Sequence, residues 1–556
     1  MKPTPTANKL RGGYYTPGPI ADFLVRWALQ TPGAKVLEPS AGDGVFLRYA
    51  AARLLDLGGP AAALDLTAVE VDPAAAQEAR LALAPLGLAH AVAESDFFAY
   101  AEAHQGVRFD AVVGNPPFLR YHHFQEEHRE PAFRLMRSAG LHPSRLTNAW
   151  VPFVVAASRM LTDRGRLAMV LPAELLQVGY AAELRAYLSN EFARITVVAF
   201  ESLVFEDIQQ EVVLLLGEKA PAASPGIRVA ELLDTTGLAD LDVDHNAPPK
   251  AMDHTSEKWT QYFLEPLELE ALRAIRHSPK VTRLGSLASV DIGVVTGNND
   301  FFLVPDPGEF ALAGIDRFLE PIVTRSRQIS GLEFSEGDWR RNQAEGEARY
   351  LLSVRNEDQI PEELNVYLET GIEAAVHLGY KCRIRKKWFV VPSTHPAEAF
   401  LLRQIHSHPQ LALNRAGGSS TDTVHRVAIR PATNPESLAT AFHNSLTFAF
   451  AEVMGRSYGG GVLELEPSEA DALPIPYDTS LGQSFSAIDK ALRADEVAGV
   501  LDIVDAQAAR ALDIPIEYFH VLRAGWLRLR SRRMHRRSHP TNRTRKARQE
   551  SGRRGP

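Results

Sequence analysis

The stretch Lys35-Val36-Leu37-Glu38-Pro39-Ser40-Ala41-Gly42-Asp43-Gly44 runs from a short apolar segment into a helical pattern over Val45–Leu55. A buried strand that turns through small residues straight into a helix is the opening unit of a doubly wound α/β sheet. Ala41, Gly42 and Gly44 let a ligand approach the backbone at the carboxyl edge of such a sheet, the usual binding crevice of this architecture. The spacing is not the Gly-x-Gly-x-x-Gly of dinucleotide enzymes, and two acids, Glu38 and Asp43, flank the turn. Anionic side chains repel a pyrophosphate and attract an ammonium or sulfonium group.

The alternation continues on both sides of this turn. Pro19–Leu29 reads as an amphipathic helix, with Thr16 as candidate N-cap and Pro17 near its first turn. Leu66–Val71 reads as a second strand followed by an Ala-rich helix from Pro73, and Phe109–Gly114 as a further strand. Ala149–Leu161 and Ala181–Leu188 are helical patterns around a strand at Arg166–Leu171. Ile195–Phe200 and Glu211–Leu216 have no long helix between them, so the last strand is expected to enter antiparallel in an otherwise parallel sheet. Glu70-Val71-Asp72 ends the second strand, where an acid accepts from ribose hydroxyls. In Ser95-Asp96-Phe97-Phe98, Asp96 suits an exocyclic amine and an adjacent aromatic suits a purine face. Taken singly, each piece is weak: Glu38 and Glu70 also read as solvated strand ends, and a lone glycine turn is more often only a turn.

Asn115-Pro116-Pro117-Phe118 is far more specific. By composition, Asn-Pro-Pro plus an aromatic arises by chance about once in a hundred chains of this length. A stiff strand exit needs the prolines but neither of the flanking residues. Pro116 and Pro117 restrict the backbone and so fix the directions of the Asn115 side chain and the Pro116 carbonyl. Two convergent acceptors and a following ring make a clamp for a flat base bearing an amino group.

The chain has 556 residues, 45% of them apolar and 23% charged, which suits two or three globular domains. One cysteine, Cys382, excludes an internal disulfide and a cysteine-cluster zinc site. With no apolar run long enough for a membrane helix and no apolar leader after Met1, the expected compartment is the reducing cytoplasm. The net charge of −8 is uneven: Arg523–Pro556 carries 13 Lys/Arg and one acid, Glu550. Such a tail suits a polyanionic partner and equally a disordered solubilising role. The pattern assigns residues 1–220 to the doubly wound domain, 221–254 to a linker and 255–480 to a mixed α/β domain. A helical segment at 481–530 and a basic, disordered tail at 531–556 complete the expected organisation.

Taken in order, Tyr14-Tyr15-Thr16-Pro17, the glycine turn, Glu70-Val71-Asp72, Ser95-Asp96-Phe97-Phe98 and Asn115-Pro116-Pro117-Phe118 resemble the gamma-class, TaqI-like DNA adenine methyltransferases. The resemblance is close over about the first 220 residues. It is looser beyond, where Gly293-Val294-Val295-Thr296-Gly297-Asn298-Asn299 and Tyr458-Gly459-Gly460-Gly461 look like a target-recognition region. It implies a Rossmann-like class I methyltransferase sheet and S-adenosylmethionine as cofactor. Thr16 and Glu38 would bind its methionine part, with Ala41, Gly42 and Gly44 forming the turn around it. Glu70 would hold its ribose, Asp96 its adenine amine, and Phe97 would pack on its ring. Asn115 and Pro116 would grip the target amine, and Phe118 would stack on the flipped base. Phe205, in Val204-Phe205-Glu206-Asp207, stands where the family has a second stacking residue, and is also a reasonable core residue.

The expected partner is duplex DNA, with no membrane and no metal. Lys381-Cys382-Arg383-Ile384-Arg385-Lys386-Lys387-Trp388, if extended, would place Lys381, Arg383, Arg385 and Lys387 on one face for phosphates, or be a solvated surface strand. Asn414–Arg426 reads as a backbone-contact loop or an ordinary surface loop. No paired-carboxylate nuclease pattern is evident, which points to a separate cognate endonuclease. Other readings are an rRNA or protein glutamine methyltransferase, and an inactive DNA-binding specificity factor.

Overall fold

A computed structural model describes residues 15–205, 211–220, 226–252, 258–355, 358–458 and 460–535. Tyr14, Glu206, Asp207, Gly459 and the basic tail beyond His535 lie outside the described residues. The chain divides after Phe263 into two compact units.

The first unit is built on one eight-stranded sheet: β1 (Val36–Glu38), β2 (Leu66–Glu70), β3 (Val92–Glu94), β4 (Phe109–Gly114), β5 (Leu161–Pro172), β6 (Arg194–Phe200), β7 (Val212–Glu218) and β8 (Gly226–Leu232). The order is β3-β2-β1-β4-β5-β7-β6-β8. Strands β1 to β5 pair in parallel, while β7 runs antiparallel between β5 and β6. The antiparallel entry of the strand after Phe200 is therefore as expected. Helices α1 (Gly18–Ala28), α2 (Val45–Asp56), α3 (Pro73–Leu83), α4 (Phe97–Ala103), α5 (Glu126–Ser138) and α6 (Trp150–Arg159) complete the elements that shape the site. Ile20, Leu24, Phe46, Leu47, Ala50, Leu54, Ala68, Ala79 and Val113 are buried in one cluster that seats α1, α2 and α3 on the sheet. Chain order reverses between β1 and β4, which opens a crevice at their carboxyl ends.

Two sequence expectations change here. The segment expected as a linker supplies β8, whose seven residues pair in parallel with β6. Its alternating Gly-Ile-Arg-Val-Ala-Glu-Leu pattern is that of an edge strand with one buried face, hidden between Pro- and Asp-rich flanks. Thr16 does not cap α1: Pro17 occupies that position without a side-chain cap.

The second unit, Leu264–Met534, is mixed α/β as expected. Its largest sheet pairs Ala288–Asp291, Val424–Ile429, Ala399–Leu402 and Leu411–Asn414 antiparallel, with Glu333–Phe334 added in parallel. Three helices follow, Phe485–Arg493, Val497–Leu512 and Ile516–His535. The last extends beyond residue 530 for a clear physical reason. Arg533 and Glu452 are both 2% exposed and pair at 2.6 Å, and Arg533 also donates to the His406 and Gly461 carbonyls. A buried guanidinium needs such saturation, so the last turn of this helix is anchored in the domain.

Candidate functional site

At the end of β1 the chain turns through Gly42 (φ 52°) and Gly44 (φ 76°), left-handed values that favour glycine. A Cβ on Gly44 would meet the Ala79 backbone of α3 at 3.2 Å. Gly44→Ala is therefore expected to cost about 1–3 kcal/mol, seen as a lower midpoint in denaturant. The turn is tied to β2 by Glu70, whose two carboxylate oxygens accept from the Gly42 and Asp72 amides, each at 2.9 Å. Glu70 thus stands at the lip of the crevice with its carboxylate direction fixed.

Glu38 is 1% exposed, and its Oε2 has no hydrogen-bond partner among the described residues. Burial, with Asp43 and Glu70 nearby, pushes its carboxyl well above the usual carboxylate range. An orphaned buried carboxylate oxygen is unfavourable in itself and calls for a cationic ligand.

The Asn-Pro-Pro-Phe corner adjoins this group. A Cβ on Gly114 would lie 3.3 Å from Pro39 Cδ and 3.9 Å from Glu38 Cγ, so β4 exits against the start of the glycine turn. Ser40 Oγ donates to the Asn115 carbonyl at 3.1 Å. Asn115 Nδ2 donates to the buried Thr16 hydroxyl at 3.2 Å. The same bond that takes Thr16 away from helix capping fixes the Asn115 amide, with its Oδ1 as the acceptor end. Phe118 is half-buried and packs against the core cluster that also contains Phe205, which is 6% exposed.

Asp96 caps α4: its Oδ1 accepts from the Phe98 and Ala99 amides, both at 3.0 Å. Its Oδ2 lies 3.1 Å from Nδ1 of His128 on α5. Phe97 is only 2% exposed and stacks on Phe153 at 5.2 Å between centroids. The sequence pattern did not single out His128. Only its place, one turn into a helix that follows the proline corner, was available as a signal.

In the second unit, the basic segment is not extended. Tyr380–Arg383 is a short helix, and Arg383 N and Arg385 N bond back to Gly379 and Cys382 carbonyls rather than to a neighbouring strand. Arg385 turns inward and donates to the carbonyls of Val295 (2.9 Å), Thr296 (2.7 Å) and Trp388. It is a strut for the Val295-Thr296-Gly297 turn, and burial lowers its basicity. Lys381, Arg383 and Lys386 are exposed, whereas Lys387 is half-buried. Asn414–Arg426 is no free loop: Ser419, Ser420, Thr421 and His425 are buried, and a Ser420 carbonyl accepts from Val294 N. Three segments singled out separately by sequence thus meet along residues 293–297, with Ser420-Thr421 at its start and residues 381–385 at its end.

A cleft of about 580 Å³ elsewhere in the first unit is lined by Asp22, Arg26, Trp27, Arg166, Arg194 and Asp244. Its arginines are already paired with Asp22, Glu218 and Asp244, so it lacks the orphaned charge seen at Glu38. No group of three or more metal-ligating side chains occurs among the described residues. No helix there is long and apolar enough to cross a membrane.

Comparison with known proteins adds the family context. The N-6 DNA Methylase family model matches residues 2–231, and that of the type II methyltransferase M.Eco57I C-terminal domain matches residues 256–508. The type II methyltransferase M.XamI of Xanthomonas campestris pv. amaranthicola is 26% identical over 478 residues, covering 84% of this chain and 85% of that protein. M.AccI of Acinetobacter calcoaceticus is 21% identical over 474 residues, 82% and 83% of the two chains. The fold is similar to that of the type IIL restriction-modification enzyme MmeI solved with DNA (TM-score 0.54, 11% identity, 93% of this chain, 72% of that one). It is also similar to DrdV in its DNA complex (TM-score 0.51, 12% identity), where 87% of this chain spans 57% of the larger protein.

Proposed function

We propose a mechanism for this chain, which belongs to the N-6 adenine DNA methyltransferases of type II restriction-modification systems and methylates DNA site-specifically. The reading is a gamma-class enzyme, supported by the order of the glycine turn, Asn115-Pro116-Pro117-Phe118 and a following recognition domain. S-adenosylmethionine fits the crevice, because Glu38 offers a buried carboxylate oxygen without a partner to a group that carries ammonium and sulfonium charge. Bound there, it supplies an electrophilic methyl group on a cationic sulfur.

The protein's own residues do the rest. Glu38 and Thr16 hold the methionine part, Glu70 accepts from the ribose hydroxyls, and Asp96 accepts from the adenine amine. Phe97, buried on Phe153, supports the adenine pocket from behind. The target adenine leaves the duplex at a cost of a few kcal/mol, partly returned by stacking on Phe118. Phe205 is buried in the core cluster against which Phe118 packs, so the stacking falls to Phe118 rather than to Phe205. The exocyclic nitrogen is a poor nucleophile because its lone pair is delocalised into the ring. Asn115 Oδ1 and the Pro116 carbonyl accept its two hydrogens, favour a pyramidal nitrogen, and direct the lone pair into the crevice. No strong base is needed before attack, and the proton leaves afterwards from a more acidic ammonium.

The observation that carries this reading is the linkage of Asn115 to Thr16 and Ser40, which joins the proline corner to the cofactor crevice. Incubation with methyl-labelled S-adenosylmethionine and mixed duplex DNA, then nucleoside analysis, is expected to give N6-methyladenine. Label in N4-methylcytosine, RNA or protein alone would contradict it.

Lys381 and Arg383 are the proposed phosphate contacts of the basic segment, Lys387 stands at its edge, and Arg385 is excluded by its internal bonds. Substituting Lys381 and Arg383 together by alanine is expected to weaken binding to all sequences alike. The slope of log affinity against log salt should fall by about 2, roughly 0.9 for each phosphate that is no longer neutralised. A cognate endonuclease, encoded as a separate protein, would cut the unmethylated site.

A further inference from the structure

Resting on the assignment of Asp96 to the cofactor's adenine amine, we infer that His128 is a positioning residue of the cofactor pocket, acting through Asp96. One carboxylate oxygen of Asp96 is already committed to the cap of α4, by two amide hydrogen bonds. The direction of the other is set by His128 Nδ1 at 3.1 Å, from a different helix. Without that contact the cap alone holds the carboxylate, and Oδ2 faces no cationic group of α5 while it waits for ligand. The pair is sheltered: the side chains of His128 and Asp96 are 28% and 18% exposed. A sheltered ion pair is screened much less than an exposed one.

The placement of α5 gives the contact further meaning. Arg129, the next residue, donates to the Phe124 carbonyl and lies over the Tyr121 ring at 4.5 Å. Tyr121 comes three residues after Phe118. Adjacent side chains of one helical turn therefore meet the Asp96 carboxylate and the segment leaving the target-base corner. The charged groups facing the pair are Glu127, whose Oε1 is 3.6 Å from His128 Nε2, and Glu102, itself bonded to Arg134. Burial raises the Asp96 carboxyl above its ordinary range, while His128 and the two amides oppose that rise. Removing the imidazole must move the carboxyl further up, so Asp96 is protonated at a higher pH and loses its acceptor character there.

The test is calorimetric binding of S-adenosylhomocysteine, the reaction product, to the full chain across mildly acidic to neutral pH. His128→Ala is expected to weaken binding about fivefold at neutral pH, the upper end for one ion pair that keeps some exposure. Its acid limb should also move to higher pH than wild type. His128→Gln, which retains an N–H for Asp96, should recover most of the neutral-pH affinity. Asp96→Asn should bind weakly and keep only the pH dependence that Glu38 carries. In methyl transfer, His128→Ala should raise KM for the cofactor and leave kcat nearly unchanged. Wild-type affinity and an unmoved acid limb in both His128 variants, beside a weak Asp96→Asn, would overturn the role of His128 and leave the assignment of Asp96 standing. Wild-type affinity in Asp96→Asn would overturn that assignment and this inference with it. Should His128→Ala fail to fold, the pH limb of His128→Gln decides.

Discussion

Asn115→Ala is expected to lower methyl transfer by roughly 10²–10³-fold or more while duplex binding changes little. The reaction has no strong base and no covalent enzyme intermediate, so its rate depends on how the amine is held. Alanine removes the side-chain acceptor and leaves only the Pro116 carbonyl to engage the target nitrogen. A planar amine would then be presented in place of a pyramidal one. The lesion is local: the Thr16 hydroxyl loses one donor at 3.2 Å, and the Asn115 carbonyl keeps its bond from Ser40. Thr16→Val removes the same bond and retains Asn115 Oδ1, so at saturating S-adenosylmethionine, where its expected weaker cofactor binding no longer matters, its rate isolates that bond. Single-turnover transfer from labelled S-adenosylmethionine measures the effect, and a rate near wild type would refute the assigned role.

Glu38→Gln is expected to weaken cofactor binding by on the order of a hundredfold, because removing one partner of a buried charge pair costs about 2–5 kcal/mol. Its pH dependence has a definite sign. The Glu38 carboxyl is held well above the usual range when no cation is bound, chiefly by burial. A cationic ligand favours the ionised form, so its binding lowers that pKa and releases a proton. Affinity therefore rises with pH until it passes the raised value of the free protein, and falls as pH drops below it. The Gln variant should lack this dependence. In the cofactor-free protein the sign reverses for stability. A carboxyl whose folded pKa is raised stabilises least at high pH, so Glu38→Gln should melt at a higher temperature than wild type, with a gap that widens as pH rises. Calorimetric titration and thermal melts in several buffers of different pH measure both effects. Equal affinity in the two proteins would remove Glu38 from the cofactor site.

Much of the first unit was legible because its determinants are local. Strand β1, the turn through Gly42 and Gly44, and α2 follow from a contiguous run of residues. The Asn115–Phe118 corner is likewise contiguous, so its residues could be singled out without knowing their neighbours. What escaped depends on contacts between distant segments. β8 looked like a linker because its pairing with β6 is decided by a register that flanking composition conceals. Thr16 looked like a cap because its true partner is 99 residues away. Phe97 looked like a ring for the ligand, but Phe153 already covers it. Alternating cations at Lys381–Lys387 fit a strand equally well on paper. Arg385 instead found carbonyls at Val295 and Thr296, and the local turn bonds of a short helix prevailed. His128 carries no pattern of its own, and only the packing of α5 beside α4 brings it to Asp96.

The central picture is most directly tested by a crystal structure of the full chain with S-adenosylhomocysteine and a duplex containing its recognition site. It should show one adenine rotated out of the helix, its amine within hydrogen-bond distance of Asn115 Oδ1 and the Pro116 carbonyl, and its ring on Phe118. A target base left stacked in the duplex, or extruded into a different pocket, would contradict the account.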